Sequence, residues 1–341
     1  MKRFFTTVTL ILAMALNFAS AEPIKLLSYN IKGHGMTSSR LDDIAAVINA
    51  QNPDIVALQE VDNRTYIGIK HDYLSELAEA TGMHSEFFAL VGTYYGIGLL
   101  SKTAPISVQK KSFDPSDTSK DKEARGFIIA EFDKFYFLCT HYSLNADDRD
   151  TATAWAINFA RQSDKTVFIA GDFNAQPTYR AMVTFKNNGF TILNPTSQYT
   201  FPAEGPTSCI DMIISYCGED SQEYSVEQTG VVTSVSGLTM SDVSDHLPVY
   251  VTIEEVRSNS VEGIKNTEEI KFVRAENGFS FENLKALSNV DIYSLGGTLL
   301  ASQTADNGTT ILFPERCRKG IYVVNINNGY QNSTFKYILN H

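Results

Sequence analysis

Apolar residues in this chain come in short runs, and two periodicities alternate between residues 24 and 255. Ile24 to Ile31 and Asp54 to Gln59 have the length and composition of strands. Between them, Arg40 to Asn49 places Leu41, Ile44, Ala45 and Ile48 at helical spacing behind Ser38 and Ser39 as candidate caps. Further helices are predicted over Tyr73 to Ala80 and Ala152 to Gln162. From Ser85 the texture changes to consecutive strand-like runs: Ser85 to Val91, Ile97 to Ser101, Ser107 to Phe113, Gly126 to Phe132 and Phe135 to His141. Such a block predicts antiparallel pairing. Thr166 to Ala170, Ile210 to Ser215, Glu227 to Val235 and Leu247 to Ile253 add strands, and two sheets face to face with helices outside satisfy this order.

After Glu255 the pattern shifts again. Residues 257–266 are polar and read as a linker, and short strands follow at Ile270 to Val273, Asn289 to Tyr293, Thr309 to Phe313, Gly320 to Ile326 and Ser333 to Leu339. Gly and Asn turns separate them, so residues 267–341 are expected to form a small all-β sandwich domain. Its lone His is the terminal His341 and it lacks a carboxylate cluster, which makes it a poor place for chemistry.

Length and charge narrow the reading. At 341 residues, 43% apolar and 20% charged, the chain exceeds what one core usually supports, and its composition is globular. The net charge is −11. The first 21 residues carry two basic side chains, and residues 257–341 hold nine basic against eight acidic, which leaves −14 on residues 22–256. A protein that grips nucleic acid through its phosphates is expected to be basic, so this surplus weighs against polyanion binding.

Residues 1–21 read as a secretory signal peptide. Lys2 and Arg3 precede an apolar run from Val8 to Leu16, and Ala19-Ser20-Ala21 supplies small residues before Glu22-Pro23. The run is short of the roughly 20 apolar residues a membrane span needs. The expected location is therefore exported: periplasmic, secreted or at the cell surface, with no transmembrane segment. Cys139, Cys209, Cys217 and Cys317 leave two readings open: a Cys209–Cys217 disulfide, or four small buried thiols.

Polar residues stand at the ends of the apolar strands, where an enzyme site is built. They are Asn30, Glu60, His141, Asp172, Asn174, Asp211 and the pair Asp245-His246. Singly, each is an ordinary turn or cap residue. As an ordered set they carry a resemblance. Ser28-Tyr29-Asn30-Ile31, Leu58-Gln59-Glu60-Val61-Asp62, Tyr95-Gly96-Ile97-Gly98-Leu99-Leu100-Ser101, Thr140-His141, Gly171-Asp172-Phe173-Asn174-Ala175, Ile210-Asp211-Met212-Ile213 and Ser244-Asp245-His246-Leu247-Pro248 resemble, in order, the motifs of the endonuclease/exonuclease/phosphatase superfamily.

The resemblance spans residues 24–254 and implies a four-layer α/β/β/α sandwich, DNase I-like, that hydrolyses phosphate esters with a divalent metal. A phosphoester repels incoming nucleophiles, so its hydrolysis needs charge neutralisation, an activated water and in-line placement. Glu60 and Asn30 are expected to offer oxygen ligands to Mg²⁺, with Mn²⁺ or Ca²⁺ as alternatives, and Asp245 to complete that shell or hold a metal-bound water. Asp172 is the expected general base, and Asn174 fixes the water or phosphate. His246 donates to phosphoryl oxygens with Asp211 behind its second nitrogen, and His141 is a further donor. Tyr95, Arg64 and Arg125 are expected near the anionic substrate, or else in packing and ion pairs. Lys32 stands where the abasic-site repair branch carries Asp, which separates this chain from that branch.

For the substrate, a small phosphate ester, a phospholipid head group such as sphingomyelin's, and nucleic acid compete, the last disfavoured by charge. An inactive surface-binding relative is the alternative outside enzymes. Val290-Asp291-Ile292-Tyr293-Ser294-Leu295-Gly296-Gly297 with Gly320-Ile321-Tyr322-Val323-Val324 resembles the C-terminal secretion or sorting domains of exported Bacteroidetes proteins, which implies export machinery as a partner. A generic surface-binding β-module is the alternative for this domain.

Overall fold

The structure, a computed structural model, describes residues 22–63, 65–66, 69–70, 72–219, 221–256, 270–275, 278–284, 287–295, 297–314, 317–318, 320–327 and 332–339. The segment expected to be a signal peptide, the polar linker and Arg64 lie outside the described residues. The chain divides into two compact units, Met1–Val256 and Arg257–His341.

In the first unit, β1 (Ile24–Asn30), α1 (Ser38–Gln51) and β2 (Ile55–Asp62) form a β-α-β opening, followed by the short pair β3 (Thr65–Tyr66) and β4 (Ile69–Lys70). Then come α2 (Tyr73–Thr81), β5 (His84–Val91), β6 (Tyr95–Ser101), β7 (Ser107–Phe113), β8 (Arg125–Glu131) and β9 (Phe135–His141). The rest is α3 (Ala146–Gln162), β10 (Thr166–Asp172), α4 (Arg180–Asn187), β11 (Thr191–Ile192), β12 (Asp211–Tyr216), β13 (Tyr224–Val231), α5 (Met240–Val243) and β14 (Val249–Glu255).

These strands make two six-stranded sheets, ordered β13-β14-β1-β2-β6-β5 and β11-β12-β10-β9-β8-β7. Each sheet holds one parallel pair, β1 with β2 and β9 with β10, and each pair is joined by a helix, α1 or α3, because parallel neighbours need a crossover. The remaining pairs in both sheets are antiparallel, as the run of short strands predicts. That run does not form one meander: the chain leaves the first sheet after β6 and enters the second at β7.

Three apolar layers fix the order α/β/β/α. Leu26, Ala57, Leu99, Ile128, Phe137 and Phe168 meet between the sheets. Leu27, Tyr29 and Val56, on the outer face of the first sheet, pack with Leu41 and Ile48 of α1 and Leu77 of α2. Ile129, Leu138 and Ile169 do the same with Ala156 of α3 and Met182 and Phe185 of α4. Both faces of the central strands are buried, which explains why they read as unbroken apolar runs.

Helix ends account for most departures from the predicted boundaries. α1 is capped by Thr37, whose hydroxyl accepts the Arg40 N–H, rather than by Ser38 or Ser39. α3 begins at Ala146, six residues before the apolar period becomes visible, behind an Asn145 cap with Asp147 and Asp148 in its first turn. Among the described residues no helix is long and apolar enough to cross a membrane. Cys209 and Cys217 are free thiols, Cys209 buried and Cys217 exposed, so neither the disulfide nor four buried thiols describes them.

The second unit is all β: β15 (Lys271–Ala275), β16 (Gly278–Glu282), β17 (Ser288–Ser294), β18 (Leu299–Ala305), β19 (Ile311–Leu312), β20 (Gly320–Asn327) and β21 (Asn332–Leu339). Sheets ordered β15-β16-β19 and β18-β17-β20-β21 share one core, with Phe279 and Phe281 from the first against Val290, Ile292, Val324 and Tyr337 from the second. β16 and β18 lie outside the predicted strands, since Gly278 and the polar Ser302-Gln303-Thr304 break their apolar alternation.

Candidate active site

Sheet register sets half of the site. Asp172, the last residue of β10, is directly opposite His141 on β9 and Asp211 on β12, so three chemistry-bearing side chains occupy one row across three strands. Gly171 permits this approach: a Cβ there would stand 2.1 Å from the Thr140 carbonyl oxygen. The facing sheet contributes Asn30 at the end of β1 and Glu60 in β2. Glu60 sits where the β2–β6 register slips between Leu58 and Val61, and its φ of 58° turns it out of the strand's alternation.

Asn30, fully buried, joins the two sheets. Its Nδ2 donates to Glu60 Oε1 and to Asp172 Oδ2, both at 3.1 Å, while its Oδ1 accepts the Lys32 N–H at 3.1 Å. In this arrangement Asn30 turns its Nδ2 donor to the carboxylates, while the Oδ1 expected as a metal ligand accepts from the loop after β1. Asp172 is 2% exposed, and its Oδ1 accepts the Asn174 N–H at 2.8 Å. Burial, reinforced by the charge of Asp211, raises its pKa well above the usual carboxylate range, against the opposing pull of His246.

His246 Nδ1 lies 2.9 Å from Asp211 Oδ2, and His246 Nε2 is 3.8 Å from Asp172 Oδ2. Burial opposes a charge on this ring, but Asp211, through its charge and hydrogen bond, with Asp172 and Asp245 behind it, pushes the pKa up to about 10. The ring is therefore an imidazolium at neutral pH. Two neighbours hold it: Ser244, from the same motif, and Phe201, which the sequence does not single out. Ser244 Oγ donates to the Asn30 carbonyl at 2.7 Å and accepts the His246 N–H at 3.2 Å, and the Phe201 ring lies 4.7 Å from the imidazole, centroid to centroid.

His141 has a different setting. Its Nδ1 faces Arg125 Nη1 at 3.1 Å, and its Nε2 stands 3.2 Å from Asn174 Nδ2 and 3.5 Å from Asp172 Oδ2. Burial, then the positive charges of Arg125 and His246, pull its pKa well down, so this histidine is neutral. Arg125 is itself buried and ion-paired with Asp121 and Glu123, the second of the two settings expected for it. Tyr95 hydrogen bonds the Glu60 carboxylate, and burial followed by that carboxylate's charge raises its pKa.

Asp245 stands apart from the buried row. It is partly exposed and pairs with Lys32 Nζ at 3.1 Å. Lys32 has a φ of 47°, and its carbonyl accepts from Arg40 Nη2 of α1, a further residue that sequence reasoning missed. No local signal marks Arg40, because its contact with the site runs through the backbone of the loop after β1.

The ligand atoms of Asp172, Asp211 and His246 lie within 4.8 Å of one another, a group that can hold a metal ion. Asp211 in this group is already hydrogen-bonded to His246, and the carboxylates of Glu60 and Asp245 are further hard oxygens of the kind a divalent cation takes. The donor set fits the metal implied by the motif resemblance.

Comparison with known proteins bears on the fold and the family. No curated protein matches the chain by sequence. Among solved structures, an endonuclease/exonuclease/phosphatase family protein from Bacteroides thetaiotaomicron aligns with a TM-score of 0.56 at 18% identity, covering 68% of this chain and 95% of that one. A mannosyl-6-phosphatase from the same organism aligns at 0.52 and 16%, covering 69% and 100%. D. rerio TDP2 complexed with a single-strand DNA product aligns at 0.53 and 16%, again covering 69% and 100%. Likeness at this identity establishes a shared fold. The sequence pattern of one family covers residues 27–246, a span that holds both histidines and all the strand-end carboxylates. The chain belongs to the Endonuclease/Exonuclease/phosphatase family, whose members are hydrolases acting on phosphoric esters.

Proposed function

We propose that the chain is an exported, divalent-metal-dependent hydrolase of a small phosphate ester, with Asp172 as the base that takes a proton from the attacking water. The observation that carries the reading is the row His141–Asp172–Asp211 facing Asn30 and Glu60 across the sheet interface. A base works best when its pKa lies near the working pH, and burial beside Asp211 raises Asp172 in that direction. Asn30 and the Asn174 amide orient the carboxylate, leaving little freedom at the group that must meet the water.

The charged Nε2–H of His246 and the neutral ring of His141 flank Asp172 and supply donors for phosphoryl oxygens as negative charge builds there. Asp211 keeps His246 oriented and protonated. A divalent cation held by Glu60 and Asp245 would supply Lewis-acid polarisation and charge neutralisation when bound. Tyr95 keeps the Glu60 carboxylate in place.

The small substrate follows from charge. Residues 22–256 carry −14, Arg125 is spent inside the protein, and Lys32 pairs with Asp245, so the described residues around the site do not form the basic track that a polyanion requires. That one solved protein of this fold is a mannosyl-6-phosphatase is in keeping with the choice. Export rests on the basic, apolar and small residues of positions 1–21, and the C-terminal β unit is assigned to sorting on its motif alone.

The test is hydrolysis of p-nitrophenyl phosphate and bis-(p-nitrophenyl) phosphate with Mg²⁺, Mn²⁺ or EDTA, beside sugar phosphates, sphingomyelin vesicles and single-stranded DNA. Metal-dependent turnover that is highest on the soluble esters is expected. Preference for DNA or lipid would overturn the substrate assignment, and inactivity on the whole panel would overturn the enzyme.

A further inference from the structure

Arg125 holds three partners within the protein. Its Nε donates to Asp121 Oδ2 at 3.0 Å, and Nη1 is ion-paired with Glu123 Oε2 at 3.0 Å and lies 3.1 Å from His141 Nδ1. Asp121 is in turn tied to the segment that follows His141: Ser143 Oγ donates to its Oδ2 at 2.9 Å and the Leu144 N–H at 3.1 Å. The guanidinium is thus clamped by two carboxylates, one of them anchored to the same strand end that carries the histidine.

The chemistry of that contact admits one proton arrangement. A guanidinium offers donors and no acceptor, and it does not lose its proton in a protein. His141 Nδ1 must therefore accept, and the single proton of the neutral ring resides on Nε2. That nitrogen faces Asp172 Oδ2 at 3.5 Å. The nearby Asn174 Nδ2 donates to the Tyr142 carbonyl at 2.9 Å, so it does not need the ring as an acceptor.

We infer that Arg125 is a positioning residue that locks His141 in the Nε2–H tautomer and aims that N–H at the reacting phosphate. The second half of this statement rests on the phosphoesterase reading; the first does not. The two histidines beside Asp172 are then set by opposite partners. A carboxylate behind His246 makes it a charged donor, and a guanidinium behind His141 makes it a neutral donor of fixed direction. Together they offer two donors to the phosphoryl group.

The experiment is long-range ¹H–¹⁵N correlation on the full chain labelled in histidine, with His141 assigned by its loss in His141→Gln. A pyridine-like Nδ1 and a pyrrole-like Nε2 are expected in the wild type. Arg125→Met should bring both nitrogens toward averaged values, lower kcat for p-nitrophenyl phosphate by about 10- to 100-fold and move KM by less than about threefold. In the His141→Gln background the same substitution should have little further effect on kcat. Arg125→Lys, which retains a donor without the planar fork, should recover part of the loss.

A pyrrole-like Nδ1 in the wild type would overturn the lock, and that spectrum can be read even if every Arg125 variant fails to fold. A raised KM that persists in the His141→Gln background would make Arg125 a substrate contact instead. Inactivity of the wild type with the expected tautomer intact would remove the phosphoesterase reading and leave the Arg125–His141 arrangement standing.

Discussion

The Gly33 N–H donates to the Glu60 carbonyl at 2.8 Å, and the two backbones lie so close that a Cβ on Gly33 would stand 2.0 Å from that oxygen and 2.8 Å from the Asp62 nitrogen. The loop after β1 is therefore pressed onto the bulge of β2 at the residue whose φ is 58°. A left-handed conformation at a non-glycine residue is costly and survives only where its surroundings enforce it. Gly33 is part of that enforcement, and Glu60 owes its aim toward Asn30 and Tyr95 to it.

Gly33→Ala should accordingly displace Glu60 as well as weaken the fold. The clashing atoms are backbone and cannot rotate away, so a loss of about 1–3 kcal/mol in unfolding free energy is expected. The Mg²⁺ concentration for half-maximal activity should rise by about tenfold. Thermal melts beside a metal titration check both, and an unchanged titration in a folded variant would detach Gly33 from the placement of Glu60.

Asp172 should show a conflict between stability and turnover. Its carboxyl is raised by burial and by Asp211, so the folded state holds the proton more tightly than the unfolded chain does. Stability from this group is fully present below the ordinary carboxylate pKa and is lost as pH rises from about 4 toward neutrality. With EDTA present, the unfolding free energy of the wild type minus that of Asp172→Asn should increase by at least about 1 kcal/mol between pH 8 and pH 4. The same substitution should leave less than about a tenth of the turnover. Denaturant titrations across the pH series decide the first point; a flat difference would show that the buried carboxyl is not raised.

The strand-end residues were legible because they are local: an apolar run that stops at Asn30, His141 or Asp172 announces the edge of a buried strand in a few positions. What register and long-range pairing decide was not. Asn30 meets Asp172 across 142 positions, and nothing near Asn30 indicates that its amide will bridge two carboxylates. Arg125 was visible as a cation but not as a partner of His141, since Asp121 and Glu123, which hold it, lie in an irregular segment with no period to read. Lys32 was noticed as a departure from a motif, and its pairing with Asp245 depends on the antiparallel pairing of β1 with β14, which brings the end of one beside the start of the other. α4 escaped because eight residues with Ala181, Met182 and Phe185 buried give too short a period.

The Asp211–His246 pair sets a second pH window, opposite in chemistry to that of Asp172. Although burial opposes its charge, His246 is raised to about 10 by Asp211, so its protonated form belongs to the folded state. The stability it contributes is fully present below the unfolded histidine value near pH 6.5 and is lost as pH climbs through about 10. Asp211→Asn removes the cause. In EDTA, the stability gap between wild type and Asp211→Asn should be widest near pH 6 and narrow steadily toward pH 10. Turnover at pH 7 should fall by about 100-fold, because the imidazolium loses the partner that keeps it charged and oriented. A gap that widens toward pH 10 would mean that His246 is buried neutral, and its role as the charged donor would have to be withdrawn.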